Sequence, residues 1–187
     1  MTIPDDEADR VFCPTPKIGA IMKRTLTALG VGSLLLGTLS LPGAASAEER
    51  TCRGTINAAT VDNLRVPSGA LCTLNGTTVK GTVKVETNAR LSANSIRVVG
   101  NVQSEGHDWV KVVSSRIGGS IQLKQGGDVN VRSNRVGQDV QIFTNRGTKT
   151  ISNNRINGNL QCKSNVPAPV GGGNVVGGNK EDQCRRL

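Results

Sequence analysis

Four arginine residues recur at nearly constant intervals in the second half of the chain and form the most regular chemical pattern in the sequence. They are Arg97, Arg116, Arg135 and Arg155, and each directly precedes an apolar residue. A guanidinium group donates hydrogen bonds to phosphate or carboxylate oxygens, often two at a time. A row of such groups at regular intervals is therefore suited to binding a polyanion. A solvated charged face is the alternative interpretation of this row.

A second group of polar residues, Glu105, His107 and Asp108, lies beside Trp109. Such side chains serve as acids, bases or metal ligands in many enzymes. Proximity within one loop is weak support for a site, and with one histidine in the chain a Ser, His and Asp set is nearly excluded. We therefore predict no catalytic residue, no metal site and no cofactor. A small polysaccharide-active enzyme, a lyase or hydrolase, is the alternative.

The sequence segments that contain these residues repeat every 19 or 20 residues. Fixed-period similarity of this kind is typical of a solenoid. In each unit apolar residues fall at the same offsets, and residues two apart share one side of an extended strand. The units open at Gly81, Gly100, Gly119, Gln138, Gly158 and Gly178.

Each unit contains three apolar clusters, separated by Gly, Asn, Ser and Asp residues. Three short strands joined by three corners account for this pattern. The sequence therefore predicts an all-β, single-domain, three-sided parallel β-helix, and its uneven corners favour a right-handed coil. A sandwich of antiparallel strands is the competing fold, but it does not require the same offsets in every unit.

One corner carries a polar residue next to the arginine row in each unit. Stacked asparagines exchange amide hydrogen bonds between neighbouring coils. We therefore expect a structural ladder that braces this corner. Its members are Ser115, Asn134, Asn154 and Asn174.

The first 47 residues contain a targeting signal. Lys23 and Arg24 precede an apolar run over residues 25–41, and a small-residue stretch ends at Ala47. This order is that of a secretory signal peptide. We assign residues 1–21 to an upstream gene-model extension, 22–47 to the signal and 48–187 to the β-solenoid. The mature protein is expected to be secreted, without a membrane span.

Four cysteines follow the signal: Cys52, Cys72, Cys162 and Cys184. Export implies an oxidising compartment, so disulfides are expected. Three pairings are possible, but Cys52 with Cys72 and Cys162 with Cys184 are each about one coil apart. Equivalent positions on adjacent coils lie about 4.8 Å apart, which a disulfide tolerates. We predict that these two bonds fasten the end coils. Zinc binding is disfavoured because the spacing lacks paired CxxC units.

Composition limits the partners. Lys and Arg number 23 against 14 Asp and Glu, a net charge of +9, and the first 47 residues contribute none of this excess. Trp109 and Phe143 are the aromatic residues after Ala47, and so few aromatic rings disfavour binding to neutral sugars or to single-stranded nucleic acid. An anionic cell-wall or extracellular polymer is the favoured partner, and no specific nucleic acid is expected.

Two stretches are distinctive, VPSGALCTLNGTTVKG over residues 66–81 and GGGNVVGGNKEDQC over residues 171–184. Both resemble a family of small secreted bacterial β-solenoid proteins of unknown function. The resemblance implies a solenoid and export, and it implies no activity. The coil length is similar to that of bactofilins. The signal peptide and the terminal cysteine pairs are not features of bactofilins. We expect an exported non-catalytic structural or binding module of the cell surface or extracellular matrix.

Overall fold

A computed structural model describes residues 48–187 of the chain. The extension and signal peptide assigned to residues 1–21 and 22–47 lie outside this range. Residues 48–187 form an all-β structure. No helix in this range is long and apolar enough to cross a membrane.

The strands belong to three parallel sheets, which we number 1 to 3. Sheet 1 contains Glu49–Thr51, Asn63–Val66, Val83–Val85, Val102–Glu105, Ile121–Lys124, Val140–Phe143, Leu160–Lys163 and Lys180–Asp182. Sheet 2 contains Gly54–Asn57, Leu71–Asn75, Arg90–Asn94, Trp109–Val113, Asp128–Arg132, Lys149–Ser152 and Val170–Gly172. Sheet 3 contains Thr60–Val61, Thr78–Val79, Arg97–Val98, Arg116–Ile117, Arg135–Val136, Arg155–Ile156 and Val175–Val176.

The predicted three-sided β-solenoid is confirmed, with about seven turns of roughly 19 residues each. The chain visits sheets 1, 2 and 3 in turn, and every strand pairs in parallel with strands of the neighbouring coils. Val102, for example, lies between Val83 and Ile121. The right-handed sense of the coil stays a prediction.

Aliphatic side chains from all three sheets fill the interior in columns. The sheet 3 column consists of Val61, Val79, Val98, Ile117, Val136 and Ile156, all buried. β-branched residues suit such columns because they pack well on a pleated surface. Ser104 is a polar member of the sheet 1 columns, and its hydroxyl donates a hydrogen bond to the Val85 carbonyl at 2.9 Å.

Lys149 occupies an inward position that the repeat otherwise fills with an apolar residue. It pairs in register with Val129 and is completely buried. Its ammonium group donates hydrogen bonds to the carbonyl oxygens of Asn145 and Gly147. Burial lowers the pKa of Lys149, and the nearby Asp128 carboxylate opposes this effect. The lysine therefore holds the corner that precedes its own strand.

Disulfide bonds join the predicted cysteine pairs. The Cα atoms are 5.6 Å apart in Cys52–Cys72 and 5.2 Å apart in Cys162–Cys184. The expectation that the members of a pair occupy equivalent positions is wrong, because Cys72 pairs in register with Gly54 and Cys162 with Asp182. Cys52 lies two residues before the register partner of Cys72, and Cys184 lies two residues after the register partner of Cys162, so each bond links a strand residue to a residue just outside the strands at an end of the solenoid.

Candidate functional site

The four arginines form a straight row on the outer face of sheet 3. Arg116 pairs in register with Arg97 on one side and with Arg135 on the other, and Arg135 pairs with Arg155. Each lies in a two-residue strand whose second residue, such as Ile117, is buried in the core. The alternation of a strand therefore directs each arginine outward, and all four are exposed. We call this row the Arg ladder.

Among residues 48–187, the guanidinium groups of the Arg ladder have no carboxylate within ion-pair distance. The ion pairs in residues 48–187 involve Arg65, Lys80 and Arg90 instead. Neighbouring strands lie about 4.8 Å apart, so the like charges repel one another, by about 1 kcal/mol or less per pair in water. This repulsion opposes folding, and an anion bound along the ladder would relieve it.

A shallow groove of about 280 Å³ runs beside the ladder, lined by Arg116, Arg135, Arg155 and glycine residues of the adjoining corner. The coils stack so closely at this corner that glycine is required there. A Cβ atom on Gly137 would lie 2.1 Å from the carbonyl oxygen of Gly118, and one on Gly118 would lie 2.3 Å from that of Val99. The close approach of the coils therefore requires glycine at this corner, and the glycine backbone forms one side of the groove next to the guanidinium groups.

Directly before the Arg ladder, the predicted polar ladder lies inside the corner between sheets 2 and 3. Ser115, Asn134, Asn154 and Asn174 are all buried. The Asn154 amide nitrogen donates to the side-chain oxygen of Asn174 at 2.9 Å and to the Val131 carbonyl at 2.8 Å. The backbone N–H of Asn134 donates in turn to the side-chain oxygen of Asn154 at 3.0 Å. These bonds fix the backbone from which the arginines project.

Sequence reasoning missed polar ladders at the two other corners. Between sheets 1 and 2, the amide nitrogen of Asn145 donates to the side-chain oxygen of Asn165 at 3.3 Å. Between sheets 3 and 1, the backbone N–H of Ser120 donates to the side-chain oxygen of Asn101 at 2.8 Å. The 20-residue spacing of Asn145 and Asn165 was a usable signal for the first ladder.

The structure does not bring Glu105, His107 and Asp108 together as a site. Glu105 is exposed and lines a groove of about 500 Å³ on sheet 1, with Glu86 and Lys124. Asp108 lies 3.9 Å from the Arg90 guanidinium on sheet 2. His107 is buried in the corner between them, 3.1 Å from the Ser104 hydroxyl.

Burial lowers the pKa of His107 to about 4, although Asp108 and Asp128 favour its charged form. The ring packs against Gly126, where an added Cβ would lie 2.4 Å from it. Its Nε2 atom is buried without a hydrogen-bond partner in the described range. A neutral histidine filling the space above a glycine explains these contacts.

Within residues 48–187 there is no group of three or more His, Cys, Asp and Glu side chains that could hold a metal ion. Compared with protein-family models, curated proteins and solved structures, the chain matches none of them. We therefore infer its function from its own residues.

Proposed function

We propose that this protein is an exported, non-catalytic structural or binding module of the cell surface or extracellular matrix, and that it contacts an anionic polymer through the Arg ladder. One observation carries the proposal. Arg97, Arg116, Arg135 and Arg155 form an exposed row in register, and no carboxylate of the described range 48–187 pairs with them.

The spacing of the ladder favours a linear polymer over a small anion. Successive guanidinium groups are attached to backbones about 4.8 Å apart, so a polymer lying along the solenoid axis meets one cation per coil. Several weak contacts along one chain add up because the later contacts form intramolecularly. Cell-wall or extracellular polymers that carry phosphate or carboxylate groups have this repeating character.

Export is supported by two further observations. Two disulfide bonds are typical of an oxidising compartment. The basic, apolar and small-residue segments over residues 22–47 follow the order of a signal peptide. From the disulfide bonds and the signal-peptide pattern together, we infer that the protein is located outside the cell.

We propose no catalytic role for this chain. The histidine that could have served as an acid or base is buried and has a pKa well below neutrality. Asp108 faces Arg90, and Glu105 lies in a separate groove. The alternative of a polysaccharide-active enzyme predicts product release from acidic polysaccharides, and we expect none.

Chromatography on immobilised heparin tests the Arg ladder. We expect the protein to be retained at low salt and to elute as the salt concentration rises, because salt screens exposed charges. Changing Arg116, Arg135 and Arg155 to Ser should abolish most of this retention. Circular dichroism and the melting temperature establish that the triple variant remains folded.

A matched triple variant separates the pattern of charge from its amount. Lys84, Arg146 and Lys163 are exposed and lie outside the Arg ladder. Changing these three to Ser removes the same net charge, yet retention should fall much less than in the ladder variant. Equal losses in the two variants would show that net charge alone binds heparin, and the ladder proposal would be rejected.

A further inference from the structure

Trp109 lies on the outer face of sheet 2, in a groove of about 370 Å³ that is distinct from the Arg ladder on sheet 3. The indole is half-buried and stands in register with Asp128 of the next coil. A parallel outward row of Lys111, Asn130 and Thr150 forms the other side of the groove. The solenoid thus brings one aromatic ring and several polar groups from three coils together.

Hydrogen bonds hold Asp128 and Asn130 in place in this groove, and both side chains keep free hydrogen-bonding capacity. Asp128 accepts a hydrogen bond from the backbone N–H of Thr148, which leaves its other carboxylate oxygen available. The side-chain oxygen of Asn130 accepts a bond from Arg132 at 2.9 Å, so its NH₂ group is left as a donor. Lys111 has no carboxylate within ion-pair distance among residues 48–187.

The chemistry of the lining defines the class of ligand. Lys111 and Asp128 balance in charge, so the groove does not favour a polyanion. An indole face with donors and acceptors around it suits a ring that is apolar on one face and carries hydroxyl groups at its edge. Neutral sugars have this character, and the groove volume is within the range of small-molecule sites.

We propose that the Trp109 groove binds a neutral saccharide, with the indole stacking on a sugar ring and Asp128, Asn130 and Lys111 bonding to its hydroxyl groups. The scarcity of aromatic residues disfavours neutral sugars for the chain as a whole. The placement of the single tryptophan beside these polar groups makes this groove the exception. The site is independent of the Arg ladder and of its proposed function.

Trp109 also reports on its own site. The chain contains one Trp and no Tyr, so its tryptophan fluorescence comes from this residue alone. Titration with cellohexaose and with chitohexaose should give a saturable change in emission for at least one of them. Asn130→Ala should weaken that binding about fivefold to tenfold, since it removes a hydrogen bond to the ligand. Lys111→Met provides a second variant should Asn130→Ala fail to fold.

Two controls make the result specific. Thr73 lies in the same outward row as Lys111, two coils earlier and outside the groove. Thr73→Ala should therefore leave the affinity for the saccharide unchanged. The triple Ser variant of the Arg ladder should bind the saccharide like the unmodified protein. The proposal is overturned if neither oligosaccharide gives saturation at millimolar concentration, if both groove variants bind normally, or if only heparin changes the emission.

Discussion

His107 shows how a single buried residue makes stability depend on pH. Its ring is 2% exposed and bonded at Nδ1 to Ser104, while Nε2 has no partner among the described residues. Burial lowers its pKa to about 4, below the 6.5 that is usual for histidine. The unfolded chain therefore binds a proton between these values, whereas the folded protein does not.

We predict that the protein loses stability as pH falls from about 6.5 to about 4. The contribution of His107 is fully present above the upper value and decreases by at most about 3 kcal/mol across this window, at 1.36 kcal/mol per pKa unit. His107→Asn should flatten this dependence, because asparagine does not titrate. Denaturant unfolding at a series of pH values measures the effect. An equal slope in both proteins would show that His107 is not the responsible group.

At the scale of single elements, the corners depend on polar ladders as much as the strands depend on aliphatic columns. Asn134, Asn154 and Asn174 are buried and bond to one another and to the backbone. At a corner the backbone N–H and C=O groups no longer pair within a sheet, and each side-chain amide provides hydrogen-bond partners for them. These corners set the direction in which the adjoining arginines project.

We predict that Asn154→Ala lowers the free energy of unfolding by about 2–4 kcal/mol, because it leaves the buried Asn134 N–H without an acceptor. Asn75→Ala provides the control. Asn75 bonds to Asn57 in a similar ladder, but it is exposed, so its loss should cost about 0.5 kcal/mol or less. Urea denaturation of the two variants tests this, and similar losses would contradict the role given to the buried ladder.

The repeat predicts most of this architecture because apolar offsets report directly which side chains face inward. It predicts the three sheets, the outward arginines and the Asn134 ladder in register. It misses Lys149, since periodicity cannot anticipate a lysine that bonds to carbonyl groups of its own corner. It misplaces the cysteines by two residues, because the cysteine separations of 20 and 22 residues each exceed the register spacing of their own coil by two. The Trp109 groove is also missed, because Trp109 stands in register with Arg90 and Asp128 and so belongs to no repeating pattern.

At the scale of the whole molecule, the two disulfides close the solenoid where its columns end. Cys52–Cys72 and Cys162–Cys184 span 20 and 22 residues. A cross-link over a loop of this length contributes about 3 kcal/mol by restricting the unfolded chain. Coils at the ends have a neighbour on one side only, so they are the first to open.

We predict that changing Cys52 and Cys72 together to Ser destabilises the protein by about 3 kcal/mol. Amide hydrogen exchange should accelerate first in the strands Gly54–Asn57 and Thr60–Val61, and least in the central coils. Exchange monitored residue by residue makes the comparison. Uniform acceleration along the whole solenoid would show that the bond does not act locally on the end coil.

The NMR response of the arginine Nε–H signals to a heparin oligosaccharide tests directly whether the Arg ladder binds a polyanion. If it does, we expect saturable shifts for Arg97, Arg116, Arg135 and Arg155 that weaken as salt is added, with smaller changes at Arg132 and Arg146. Shifts spread evenly over all arginines, or absent from the four ladder residues, would contradict this binding.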